Sequence, residues 1–139
     1  MARRLIRAAA LLLSFALCAP ALALDQKALD AYAREVWTTR DGLPHNQVNS
    51  IAQTPEGYLW FATWEGVVRY NGQEFRAFGR NNVPAMKDSG IRAVTVGPSG
   101  ALVVATSRGG VSVLRGEDWT TYTIENGLTQ NETFAALED

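Results

Sequence analysis

The stretch GYLWFATWEGVVRYNG, residues 57–72, sets two tryptophans, two tyrosines and a phenylalanine between glycines at 57, 66 and 72. A run this aromatic would be one buried element if it were continuous, but the glycines cut it into short pieces. A counterpart follows at residues 100–116, GALVVATSRGGVSVLRG. Gly57 maps to Gly100, Thr63 to Thr106, Gly66 to Gly109, and Gly72 to Gly116 after one inserted residue. A skeleton recurring after about 43 residues is the period of stacked or radial repeat architectures.

Working outward, each copy reads as four short strands separated by turn residues. In the first unit the strands are expected at residues 47–53, 58–63, 67–70 and 74–78, with turns at Thr54-Pro55-Glu56-Gly57, Trp64-Glu65-Gly66 and Asn71-Gly72. Asn-Gly between two β-like runs is a strong hairpin signal. In the second unit the strands are expected at 91–96, 101–106, 110–114 and 118–122. Four antiparallel strands every 40–45 residues or so describe a β-propeller blade. The expected fold is therefore all-β, with blades over residues 36–78 and 79–122. Trp60 and Phe61 are expected in the blade core, and Trp37 and Trp119 as anchors between neighbouring sheets. A third unit starts at residue 123: Asn126-Gly127-Leu128 matches Asp41-Gly42-Leu43, and 133–138 is expected as its first strand. Asp41 and Asn126 are expected to satisfy turn backbone groups. Two blades and one strand do not close a ring of about four to eight blades. The expectation is a portion of a larger propeller, or a ring assembled from several copies.

Ahead of the repeats, MARRLIRAAALLLSFALCAPALA has a basic start, a short apolar run and an Ala21-Leu22-Ala23 site, the plan of a secretory leader. The run is shorter than the ~20 apolar residues of a spanning helix, so cleavage after Ala23 is expected, and an uncleaved anchor is the alternative. Residues 24–35 form a lead-in, with Ala28, Leu29, Tyr32, Ala33 and Val36 at helical spacing, although an extended lead-in fits a segment this short. The leader takes three of the 13 basic residues, leaving ten against 14 acidic ones and a net charge of about −4. That balance provides no basic footprint for nucleic acid or an anionic membrane. The single cysteine, Cys18, leaves with the leader, so packing alone must hold the mature chain.

VWTTRDGLPHNQVNSIAQTPEGYLWFATWEGVVRYNGQEFRAF, residues 36–78, resembles the two-component regulator propeller repeat. The matching residues are Trp37, Asp41, Gly42, Leu43, Pro44, Asn46, Val48, Ile51, Gly57, Leu59, Trp60, Phe61, Thr63, Gly66, Arg69, Tyr70, Gly72 and Phe75. The second unit is a weaker copy: Val103-Val104 replaces Trp60-Phe61, and Val83-Pro84 stands where Leu43-Pro44 stood. The resemblance implies the periplasmic sensor region of a bacterial receptor. In such receptors a membrane helix and a cytoplasmic histidine kinase or diguanylate cyclase follow the propellers. No output motif is present in these residues, so only the sensor role is carried over, with the remaining blades and an output module as expected partners.

In a propeller, the loops before the first strands share one face with the turns between second and third strands. That places His45, Asn46, Trp64, Glu65, Lys87, Asp88 and Arg108 together, a set of aromatic, amide and charged groups suited to a polar ligand such as a sugar fragment. No catalytic activity, cofactor or metal is expected. His45 is the only histidine, and no nucleophile and base are legible around it. Two other readings remain open: a secreted carbohydrate-binding or carbohydrate-active propeller, and a scaffold pairing with copies of itself through exposed strand edges. The leader reading is checked by intact mass of the exported protein. A chain beginning at Leu24 is expected, and one that retains residues 1–23 would contradict it.

Overall fold

The computed structural model describes residues 34–139. The leader lies outside them, as does the lead-in except for Arg34 and Glu35, which are exposed and without regular structure. Eight strands form where the turn residues allow: β1 (Val48–Gln53), β2 (Leu59–Thr63), β3 (Gly66–Tyr70), β4 (Phe75–Phe78), β5 (Ile91–Val96), β6 (Leu102–Thr106), β7 (Val111–Arg115) and β8 (Asp118–Tyr122). They make two antiparallel sheets in simple meander order, β1-β2-β3-β4 and β5-β6-β7-β8. Every strand end falls within one residue of its expected position, because each is set by a turn rather than by propensity along the strand.

Alternation along β2 and β3 gives the first sheet two apolar faces. Trp60, Ala62 and Val67 point one way, into a seam with Ile91, Val94, Leu102 and Val104 of the second sheet. Val83 and Met86, from the connection between the sheets, close the same seam. Phe61 and Val68 point the other way and are covered by Trp37 and Leu43. Full burial of an aliphatic side chain contributes about 1.5–3 kcal/mol, and an aromatic pair adds about 0.5–1.5 kcal/mol beyond its area. Burial of area therefore dominates the seam.

One loop is built three times. The Asp41 carboxylate accepts the Thr38 N–H at 2.7 Å, Asn82 Oδ1 accepts the Gly79 N–H at 2.9 Å, and Asn126 Oδ1 accepts the Thr123 N–H at 2.5 Å. The N–H groups of Leu43, Val83 and Leu128 then return to the carbonyls of Thr38, Gly79 and Thr123. Val83 thus occupies the position of Leu43, with one residue fewer in its loop. Just before each loop stands an aromatic residue: Trp37, Phe78 or Tyr122. Trp37 meets Phe75 at 5.5 Å, and Phe78 meets Trp119 at 5.8 Å, the same contact one unit later. Tyr122 is 40% exposed.

Two expectations are corrected. Residues 133–138 form no strand. They run alongside the second sheet, held by Thr133 N–H to the Thr106 carbonyl (3.2 Å) and Thr95 Oγ1 to the Ala136 carbonyl (2.7 Å). These single bonds make no ladder, because a first strand needs its own second strand as partner. Leu128 and Ala136 nonetheless pack on Ala101, Val103, Val111 and Val113, as Val83 and Val94 pack in the first seam.

The second correction concerns the inserted residue. Thr63 Oγ1 donates to the Gly66 carbonyl at 2.8 Å, and Thr106 Oγ1 donates to the Gly110 carbonyl at 2.8 Å. Gly110, not Gly109, is therefore the equivalent of Gly66, and the insertion lies in the turn at residues 107–109. Both glycines have positive φ, 140° and 80°, and a Cβ would meet the carbonyl oxygen of Phe78 at Gly66 and of Tyr122 at Gly110. Gly109 serves differently: a Cβ there would stand 2.7 Å from Asp88 Cβ.

Gly110→Ala should cost at least the ~1–3 kcal/mol of a strained backbone position, with the clash in addition. Gly116→Asn should cost far less, since φ is 61° and a Cβ there meets nothing within 4 Å. Urea denaturation of both variants checks this, and equal losses would contradict it.

Candidate functional site

The second-to-third-strand turns of both sheets and the connection between them open onto one cleft of about 630 Å³. Trp64 and Glu65 come from the β2–β3 turn, Ser107 and Arg108 from the β6–β7 turn, and Arg80, Asn81, Asp88, Ser89 and Gly90 from the connection. Arg92 of β5 and Glu132 complete the wall. Of the residues proposed from sequence, Trp64, Glu65, Asp88 and Arg108 meet here. His45, Asn46 and Lys87 do not line the cleft. His45 Nδ1 accepts the Gln47 N–H at 3.0 Å, and Asn46 Oδ1 accepts the Thr39 N–H at 2.8 Å, so both serve their own loop. Lys87 is exposed.

Asp88 is the organising group on the second-sheet side. Its Oδ2 accepts the Ser107 hydroxyl at 2.6 Å and the Arg108 N–H at 2.9 Å, and its Oδ1 accepts the Gly90 N–H at 3.2 Å. The added residue of this turn thereby wraps around a carboxylate, and Gly109 leaves room for it. Burial alone would raise the Asp88 carboxyl. The hydrogen bonds from Ser107, Gly90, Arg108 and Ser89 together outweigh burial and hold it below its ordinary value of 3.8. The first-sheet turn has no such pin, and Trp64 is left 41% exposed at the cleft.

Arg92 was not among the residues proposed from sequence. The β1–β2 register shifts between Val48 and Ser50, and the β5–β6 register shifts between Ile91 and Ala93. Asn49 and Arg92 are thus equivalent bulge residues, and a bulge re-aims its side chain out of the normal alternation. Asn49 reaches across the seam to donate to the Ile91 carbonyl at 2.7 Å. Arg92 turns to the cleft, its guanidinium 4.1 Å from the Phe134 ring centroid. A second cavity, of about 250 Å³, is lined by Thr54, Tyr58, Trp60, Arg69 and Leu114 among others, and there the Thr54 hydroxyl and Trp60 indole N–H have no partner among the described residues.

Residues 42–65 match the family model described as two component regulator propeller. That segment is similar to a regulator propeller repeat. The chain's two sheets are propeller blades in an incomplete ring. Among solved structures, the extracellular domain of a hybrid two component system from B. thetaiotaomicron is similar to it, with a TM-score of 0.63 and 26% identity. The match covers 70% of this chain and 15% of that one, so the chain spans a small part of that domain's length. No curated protein matches. Among the described residues of this propeller, no helix is long and apolar enough to cross a membrane.

A group whose folded pKa is depressed stabilises the fold above its unfolded pKa and loses that contribution as pH falls through the folded value. Asp88→Asn should therefore lower Tm at neutral pH, and the gap from the unaltered protein should close below about pH 3.8. Thermal melts of both proteins across the acid range check this. A gap that persists unchanged well below that pH would contradict it.

Proposed function

We propose that this chain belongs to the periplasmic sensing region of a bacterial signalling receptor, and that it binds a polar, sugar-like ligand in the cleft beside Trp64 and Arg108. Signal output falls to a histidine kinase or diguanylate cyclase elsewhere in the receptor, and the propeller itself performs no catalysis. The observation that carries this reading is the cleft: turns from two adjacent blades and their connection converge on one open space. Such a space suits a sugar because an indole face stacks on C–H groups while carboxylates and guanidinium groups take hydroxyls. The likeness to the extracellular domain of a hybrid two component system supports the sensor role.

Self-association is a second reading, favoured by the apolar edge at Tyr122, Phe134 and Leu137, the last two 72% and 82% exposed. A mass that rises with concentration in analytical ultracentrifugation would favour it. For the sensing reading, the first oligosaccharide found by calorimetry to bind the unaltered protein should bind Trp64→Ala and Arg108→Ala about tenfold more weakly, a loss of about 1.4 kcal/mol. Unchanged affinity in both variants would overturn the placement of the site.

A further inference from the structure

We propose that the cleft takes a ligand bearing a carboxylate or sulfate, and that Arg92 is the residue that holds this anion. The inference rests on the cleft being the binding site and adds the charge of what enters it. Three guanidinium groups, of Arg80, Arg92 and Arg108, line this one space. Three carboxylates line it too, those of Glu65, Asp88 and Glu132, which makes the absence of ion pairs informative. Among the described residues the one ion pair within 4 Å joins Arg115 to Glu138, away from the cleft. Asp88 spends its oxygens on Ser107, Arg108 N–H and Gly90 N–H, so it draws on none of the three guanidinium groups.

Arg92 differs from the other two arginines. Its Nη1 is buried and has no hydrogen-bond partner among the described residues, and a buried guanidinium donor left unmatched is costly. The bulge at Ile91/Ala93 and the Phe134 ring fix where the head group sits. The equivalent bulge residue of the first blade, Asn49, is satisfied by the Ile91 carbonyl. The second blade thus repeats the device with a longer, charged side chain whose Nη1 meets no acceptor among the described residues. Arg92 lines the cleft with no acceptor for its Nη1 among the described residues, and a carboxylate or sulfate that reaches the guanidinium would supply one; Trp64, on the same cleft wall, is available to the ring that carries it.

The test is a titration of the full chain with glucuronate, sulfate and glucose at constant ionic strength, read by NMR at the Trp64 indole and Arg92 Nε resonances. Saturable shifts with glucuronate or sulfate are expected, with glucose weaker by about tenfold or more; which anion binds tighter tells a uronate from a sulfate ester. Arg92→Gln, which removes the guanidinium, should remove about tenfold of anion affinity, and Arg92→Lys should restore part of it. Arg80→Gln is the second variant, expected to weaken the anion less. If glucose matches glucuronate and Arg92→Gln changes neither, the anion assignment is overturned while the cleft stands as the site. If no probe shifts Trp64, the cleft itself fails as the site.

Discussion

A meander of four strands, each four to six residues long, cannot shelter both of its faces, and this constraint shapes the rest of the molecule. The first blade resolves it on one side with the seam of Trp60, Ala62 and Val67 against Ile91, Val94, Leu102 and Val104. Trp37 and Leu43 cover its other side. The second blade repeats the arrangement with a thinner cover, Leu128 and Ala136. Whether a neighbouring sheet stands against it, more than its position within the repeat, decides what a side chain does. Phe78 and Tyr122 end equivalent strands, yet Phe78 packs on Trp60 and Trp119 while Tyr122 stays 40% exposed.

The same seam places the cleft. Its walls are the turns that the shared geometry of Thr63–Gly66 and Thr106–Gly110 holds in place. Variation is confined to what those turns and bulges carry. Trp64-Glu65 faces Ser107-Arg108 across the cleft, and Asn49 is exchanged for Arg92. A rigid repeat with variable corners lets chemistry change without disturbing the core.

The strands and the blade order were legible because glycine and Asx residues mark each corner of the repeat. Gly57, Gly72, Gly100 and Gly116 all take positive φ, as tight turns demand. Three features were not legible. The sequence matched Gly66 to Gly109 with the insertion after it, and the Thr106 Oγ1 bond to the Gly110 carbonyl puts the insertion before Gly110 instead. Residues 133–138 carry a strand-like pattern, but a strand exists only with a partner, which a local pattern does not contain. Arg92 escaped notice because a bulge is a register event between two strands and leaves no mark in either one. Four of the seven proposed site residues share the cleft, since their turns lie at the same end of each blade. His45 and Asn46 lie away from the cleft, where a ring nitrogen and an amide oxygen accept N–H groups of their own loop.

The central claim is that the two blades and their seam form one cooperative body. Native-state amide hydrogen exchange tests it directly. The account predicts that amides of β2 and β3 and those of β5 and β6 share the slowest exchange rate and lose protection together as denaturant is added. Protection of one blade that outlasts the other would contradict it, and the cleft would then be a gap between two separate units.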